Sequence, residues 1–122
     1  MPKTVLIVED YDDSRSFLKF LVESYGYKVI EASDGIEAVD RFKEYNPDLI
    51  LMDISLPMVD GLTTTKAIRE FNGSRRIPII AVTAFGNLYH AQAMEAGCDE
   101  LIAKPVDFEI LEPVINKYIG HW

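Results

Sequence analysis

Five short apolar runs, rich in β-branched residues, recur along the 122-residue chain and are separated by longer amphipathic stretches. Runs of about four to eight such residues are typical of strands buried in a parallel sheet that is covered on both faces. The sequence therefore predicts five strands, at Thr4–Val8, Val29–Ala32, Leu49–Met52, Ile79–Val82 and Leu101–Ala103.

Apolar residues at helical spacing occupy the stretches between these runs. The first predicted helix has Asp13 and Ser14 as candidate caps and ends before Gly26. The other helices are predicted from Ile36 to Asn46, from Asp60 to Phe71, from Asn87 to Ala96, and through Leu111–Tyr118. Pro113 lies early in the last pattern, so that helix either begins as late as residue 112 or is kinked there. Four aspartates are interpreted as helix caps: Asp12, Asp13, Asp34 and Asp107.

The alternation of strands and helices implies right-handed βαβ units and an α/β fold with a doubly wound parallel sheet. Among such folds, the flavodoxin-like sheet of five strands in the order 2-1-3-4-5, with five helices, fits the chain length best. The order is an inference by analogy, since no local feature fixes it. We expect a single domain over residues 1–122, with no DNA-binding or enzymatic output domain.

The composition is that of an ordinary globular protein, with 48% hydrophobic and 26% charged residues. The net charge of −8 argues against direct binding of nucleic acid or of an anionic membrane. No apolar run approaches the roughly 18 residues of a membrane span, and the amino terminus leaves no room for a signal peptide. Since Cys98 is the single cysteine, no internal disulfide forms and a cytoplasmic location is expected.

Charged and hydroxyl side chains follow four of the five predicted strands. Glu9 and Asp10 follow the first, Asp53 the third, Thr83 the fourth and Lys104 the fifth. Because the carboxyl ends of parallel strands share one edge of a sheet, we expect these groups to converge on one shallow cleft. Three carboxylates repel one another without a cation, and Mg²⁺ binds both carboxylate and phosphate oxygens. The pattern predicts a site for a phosphoryl group that arrives with a metal.

Asp53 is the candidate nucleophile of this site. Aspartate forms aspartyl-phosphate intermediates, in which positioning and a metal supply most of the catalysis. Asp53 also ends the most apolar strand, which fixes its backbone best, whereas Glu9 and Asp10 are better suited to holding the metal.

Four motifs follow one another along the chain. They are an acidic pair after a strand (Val5–Asp10), an aspartate followed by Pro-Met and Asp-Gly (Asp53–Gly61), a strand ending in a hydroxyl (Ile79–Ala84), and Ala96-Gly97 before Lys104-Pro105. In this order and spacing they resemble the receiver domain of bacterial response regulators. The resemblance covers nearly the whole chain.

The resemblance implies that Asp53 takes a phosphoryl group from a histidine kinase or a histidine phosphotransfer protein. Asp10, Asp53 and the main-chain carbonyl of Ser55 would bind Mg²⁺, for which Mn²⁺ can substitute. Glu9 would assist through water. The domain would then be a phosphoacceptor switch of a two-component or phosphorelay system that promotes its own phosphorylation and dephosphorylation, rather than an enzyme.

The resemblance also implies roles for Thr83 and Lys104 in binding the phosphoryl oxygens, with a cis peptide bond between Lys104 and Pro105. Phosphorylation would change the surface formed by the fourth helix, the fifth strand and the fifth helix. That change would alter the binding of a downstream protein that the sequence does not identify. The resemblance also leaves open that the phosphorylated domain forms a dimer.

Two positions depart from the pattern of the family. Leu101 lies three residues before the lysine, where a tyrosine or phenylalanine usually turns inward when the threonine moves. A leucine can fill the space that Thr83 vacates, but it has no ring to rotate. Phe85 stands where small or polar side chains are common, and we hypothesise that it shields the phosphoryl group from water and slows hydrolysis.

Two other classes of function compete with this interpretation. A flavin-binding module would hold its phosphate in the loop after the first strand, but the acidic loop from Glu9 to Asp13 would repel a phosphate without a metal. A metal-dependent phosphatase with an aspartyl nucleophile would need a second acid close to Asp53. The next two residues here are Ile54 and Ser55.

Overall fold

Strands and helices alternate along the chain in the computed structural model, which describes residues 2–54, 60–71 and 76–120, with only the main-chain conformation described at Gly86 and Asn87. The strands are β1 (Thr4–Val8), β2 (Lys28–Ala32), β3 (Leu49–Asp53), β4 (Ile79–Thr83) and β5 (Glu100–Ala103). The helices are α1 (Asp12–Ser24), α2 (Gly35–Tyr45), α3 (Gly61–Phe71), α4 (His90–Ala96) and α5 (Phe108–Ile119), and a short 3₁₀ helix, Gly86–Tyr89, precedes α4.

The five strands form one parallel sheet in the order β2-β1-β3-β4-β5, which confirms the predicted order. Two strands are one residue longer at their carboxyl ends than predicted. Asp53 still pairs with Val82, and Thr83 with Ala103, because the main chain of a polar residue can continue the ladder. The functional candidates on β3 and β4 are therefore held by the sheet itself.

Two apolar clusters cover the faces of the sheet, since side chains alternate along each strand. On one face, Leu49 and Leu51 of β3 pack with the buried sides of α1 and α5. On the other face, Ile50 and Met52 pack with buried residues of α2, α3 and α4. All four of these β3 side chains are at most 1% exposed, so β3 is fixed from both sides.

The helix starts confirm two of the predicted caps and correct two others. Asp34 accepts a hydrogen bond from the main-chain N–H of Glu37, and Asp107 caps α5 in the same way. Asp12 and Asp13, by contrast, lie inside the first turn of α1. Carboxylates are favourable there as well as at the cap, because both positions face the positive end of the helix dipole.

Two predicted helices begin at other positions. The last helix starts at Phe108 with Pro113 inside it, which excludes the first of the two alternatives, a start as late as residue 112. The predicted helix from Asn87 is instead divided into the 3₁₀ helix and α4, and the weak helix propensity of glycine and asparagine at its start accounts for the difference. Within the described ranges, no helix has the length and apolar character needed to span a bilayer.

Candidate functional site

Asp53 ends the middle strand of the sheet and is 4% exposed. The main chain continues the ladder for one more residue, since Ile54 donates its N–H to the carbonyl of Val82 at 3.3 Å. The first turn of α3 then lies directly against this segment. A β-carbon built on Gly61 would be 2.3 Å from the carbonyl oxygen of Asp53. The site therefore requires a residue without a side chain at position 61.

Three carboxylates meet at the carboxyl edge of the sheet. One oxygen from each of Glu9, Asp10 and Asp53 lies within 4.8 Å of the others. Glu9 is buried with 1% exposure, and Asp10 is exposed. Oxygen donors at this spacing, one of them open to solvent, suit a hard divalent cation that keeps part of its hydration shell. The donor set fits Mg²⁺.

Lys104 reaches this cluster from the end of β5. Its ammonium nitrogen lies 2.5 Å from Oε1 of Glu9 and 3.6 Å from Oδ2 of Asp53. Burial lowers the pKa of Lys104, but the hydrogen bond to Glu9 and the negative charges of Asp53 and Glu9 outweigh burial, so the pKa is raised. The peptide bond between Lys104 and Pro105 is cis. The contacts with Glu9 and Asp53 hold the ammonium group of Lys104 as a positive charge beside the acidic cluster.

Thr83 is fully buried at the end of β4. Its hydroxyl oxygen accepts a hydrogen bond from the main-chain N–H of Phe85 at 3.1 Å, and its carbonyl accepts one from the N–H of Lys104 at 2.7 Å. The ring of Phe85 is 54% exposed and contacts Tyr89 edge to face. Leu101 is half-buried and packs on the cluster that faces α2, α3 and α4. Thr83 thus accepts hydrogen bonds from the main-chain N–H groups of both Phe85 and Lys104.

Sequence reasoning predicted most of these positions but missed two supporting residues. Ser55 lies outside the described residues, so its carbonyl remains a predicted ligand. The role of Gly61 was missed although the residue ends one of the four motifs, because its neighbours in space are main-chain atoms. Arg15 was missed as well: its guanidinium donates a hydrogen bond to the carbonyl oxygen of Glu9 at 2.9 Å. A main-chain acceptor leaves no pattern in the sequence.

Comparison with known proteins agrees with this arrangement. Residues 5–116 match the sequence profile of the response regulator receiver domain. The chain belongs to this family. Receiver domains are the phosphoacceptor switches of two-component signal transduction, and this chain is such a signalling switch. The family assignment favours the switch over the flavin-binding and phosphatase alternatives.

Individual relatives match this receiver domain over almost its whole length. The polar-differentiation response regulator DivK of Brucella anthropi is 41% identical over 121 residues, which are 98% of each chain. The receiver domain of a Pseudomonas aeruginosa sensor histidine kinase, whose structure holds a magnesium ion in the active-site cleft, is 34% identical with a TM-score of 0.90 and covers 99% of this chain and 100% of its own. A CheY-like receiver domain from Methylobacillus flagellatus has a TM-score of 0.88 and 28% identity, covering 97% of this chain and 99% of its own.

Proposed function

We propose that Asp53 is the phosphoacceptor of this receiver domain and that its phosphodonor is a phosphohistidine on a histidine kinase or a histidine phosphotransfer protein. The observation that carries the proposal is the meeting of three carboxylates within 4.8 Å, with the ammonium group of Lys104 beside them. An oxygen of Asp53 attacks phosphorus as the phosphorus–nitrogen bond breaks, and the bonding electron pair stays on the imidazole nitrogen. The phosphoryl group is thereby transferred from the histidine to Asp53.

The acidic cluster supplies the metal ligands in this proposal. Glu9, Asp10, Asp53 and the main-chain carbonyl of Ser55 hold Mg²⁺, with Mn²⁺ as a substitute. When bound, the cation offsets the repulsion between the carboxylate nucleophile and the incoming phosphoryl group. The outer position of Asp10 leaves room for water and phosphate oxygens on the solvent side.

Lys104 and Thr83 bind the phosphoryl oxygens in this proposal. The ammonium group of Lys104, already 3.6 Å from Asp53, has to exchange its contact with Glu9 for a phosphoryl oxygen. Thr83 is one residue beyond the residue that pairs with Asp53, and its hydroxyl can turn toward the same group. The same residues stabilise the hydrolysis of the phosphoaspartate by water, so the domain promotes both its phosphorylation and its dephosphorylation.

The output surface comprises α4, β5 and α5. Lys104 follows β5 and is bonded through its N–H to Thr83, and the segment after Thr83 leads into α4. A movement of either side chain would therefore act on the segments that lead from Thr83 into α4 and from β5 into α5. We propose that this changes binding to a downstream protein or to a second copy of the chain, in the cytoplasm and without direct contact to nucleic acid.

The phosphoacceptor assignment is tested with a small phosphodonor, phosphoramidate, and Mg²⁺. Mass spectrometry of the intact wild-type chain should detect one added phosphoryl group, and Asp53→Asn should remove it because an amide cannot be acylated on phosphorus. Asp40→Asn, which changes an exposed aspartate on α2, is the matched control and should leave the modification intact. Equal labelling of Asp53→Asn and wild type would reject Asp53 as the acceptor.

A further inference from the structure

We propose that Arg15 is a positioning residue of the metal site, acting on the peptide bond that joins Glu9 and Asp10. The inference rests on the proposed function, since it concerns how the acidic pair is held in place for Mg²⁺. Arg15 does not contact the metal position itself. It acts through the main chain of the residues that do.

Arg15 lies in the first turns of α1 and makes three contacts with its guanidinium group. Nη1 donates to the carbonyl oxygen of Glu9 at 2.9 Å, and Nη2 donates to Oδ1 of Asp12 at 2.7 Å. Nε donates to Oε1 of Glu31 on β2 at 3.3 Å. The side chain is only 18% exposed. Its planar group therefore links the loop after β1 to both α1 and β2, which a single-point cation cannot do.

Asp10 depends on this link more than the other two carboxylates do. Asp53 belongs to a sheet strand, and Glu9 is held by Ala32, which accepts its N–H at 3.0 Å, and by Lys104. The side chain of Asp10 is exposed and makes no hydrogen bond or ion pair within the part of the chain that the structure describes. Among the described residues, only its main chain fixes its position.

Two contacts restrict that main chain: Arg15 holds the peptide before Asp10 through the carbonyl of Glu9, and the N–H of Tyr11, in the peptide after it, donates to Oε2 of Glu9 at 3.2 Å. The carbonyl oxygen of Glu9 and the Cα atom of Asp10 lie in the same rigid peptide plane. A bond from Arg15 to this oxygen therefore restricts rotation of the plane, and with it the direction in which Asp10 leaves the chain. Without the bond, Asp10 would have to lose that freedom when it binds the cation.

The sign of the effect separates positioning from simple electrostatics. Arg15 carries a positive charge close to a site for a cation, so removal of the charge alone should strengthen magnesium binding. Removal of a positioning contact should weaken it. Outer-shell partners of metal ligands typically change metal affinity about 10- to 100-fold. We expect Arg15→Gln to weaken magnesium binding about 10-fold, at the lower end because Asp10 is one of several ligands.

The test is calorimetric titration of the metal-free chain with MgCl₂ at fixed ionic strength. Arg41→Gln is the matched control. Like Arg15, Arg41 contacts a main-chain carbonyl, that of Glu31 at 3.4 Å, and forms an ion pair, with Glu44, but it lies on α2 and does not contact Glu9. The substitution removes the same charge and should leave the affinity unchanged or slightly raised. Magnesium binding by Arg15→Gln that is as tight as in wild type, or tighter, would overturn the proposal.

Two further measurements separate this role from folding and from the proposed function. Urea unfolding without Mg²⁺ shows whether Arg15→Gln is folded; if it is not, Arg15→Lys keeps the charge without the three-way contact and should still bind Mg²⁺ several-fold more weakly. Equal binding by a folded Arg15→Lys would then count against the role. Asp10→Asn is the reference for the site. If wild type and Asp10→Asn bind Mg²⁺ equally, the metal site itself is wrong, whereas a loss confined to Asp10→Asn refutes only the role of Arg15.

Discussion

The contact between Gly61 and the end of β3 predicts a sharp effect of adding one methyl group. In Gly61→Ala, the new β-carbon would lie 2.3 Å from the carbonyl oxygen of Asp53 and 2.5 Å from the Cα atom of Ile54. Both neighbours are main-chain atoms, so no side chain can rotate away. An ordinary van der Waals separation requires a shift of about 1 Å between α3 and β3.

The expected loss of stability follows from two opposing effects. Overpacking a tight contact costs about 1–3 kcal/mol. Replacing glycine by alanine stabilises by about 0.4–1 kcal/mol, because the unfolded chain has less freedom to lose. This gain applies at Gly61 because the glycines with positive φ among the described residues are Gly26 and Gly97. Urea unfolding should therefore show a net loss of up to about 2.6 kcal/mol.

The same substitution should also slow phosphorylation, because the clash lies at the reacting residue. A displacement of about 1 Å in a reacting group can reduce a rate about 100-fold. Gly61→Ala should slow phosphorylation by phosphoramidate and Mg²⁺ about 10- to 100-fold, followed by mass spectrometry of the folded protein.

Gly26→Ala is the control for this experiment. Gly26 has a φ of 95°, and among the described residues no atom beyond its chain neighbours lies within 4 Å of the place that a β-carbon would take, so alanine there is strained without touching the site. It should lose about 1–2 kcal/mol of stability and keep the wild-type phosphorylation rate. The reasoning is refuted if Gly61→Ala phosphorylates at the wild-type rate, or if both variants slow equally.

Two further outcomes are expected. Phe85→Ala should lose phosphate from Asp53 several-fold faster than wild type, because the exposed ring would no longer shield the phosphoryl group. Leu88→Ala, which removes another exposed apolar side chain nearby, should lose phosphate at the wild-type rate. Equal phosphate lifetimes in Phe85→Ala and wild type would discard the hypothesis. Burial and the charges of Glu112 and Asp107 raise the pKa of Tyr25 to about 12. Because this hydroxyl ionises near pH 10 in the unfolded chain, its contribution is complete below pH 10 and is lost as the pH rises to 12. Between pH 10 and pH 12, the free energy of unfolding of wild type, measured with urea, should therefore fall by up to about 2–3 kcal/mol more than that of Tyr25→Phe. Parallel stability curves for the two proteins would contradict this.

The sheet was predictable because its signals are local and strong. The apolar runs of β3 and β4 are buried on both faces, and a parallel sheet brings their carboxyl ends to one edge. Helix starts were harder to predict, since an aspartate such as Asp12 is favourable both as a cap and in the first turn. Gly86 and Asn87 likewise weaken the start of a helix without specifying the 3₁₀ turn that replaces it.

The candidate site was predictable only as far as side-chain chemistry reveals it. Glu9, Asp53 and Lys104 carry charges whose placement after strands indicates a common edge. The contacts of Arg15 and Gly61 are with carbonyl groups, which every residue possesses, so only the folded backbone identifies the partner. The carbonyl of Ser55 remains a prediction for the same reason.

The ion pair between Lys104 and Glu9 connects the ends of β5 and β1, which are separated in the sheet by β3 and β4. Confining a lysine side chain costs about 1.5–2 kcal/mol of conformational entropy. Here that entropy is already lost when the chain folds, before any group reaches Asp53. A phosphoryl group at Asp53 can therefore bind the ammonium group of Lys104 after a short movement away from Glu9. The free energy of that binding is not reduced by a further loss of conformational entropy in the lysine side chain.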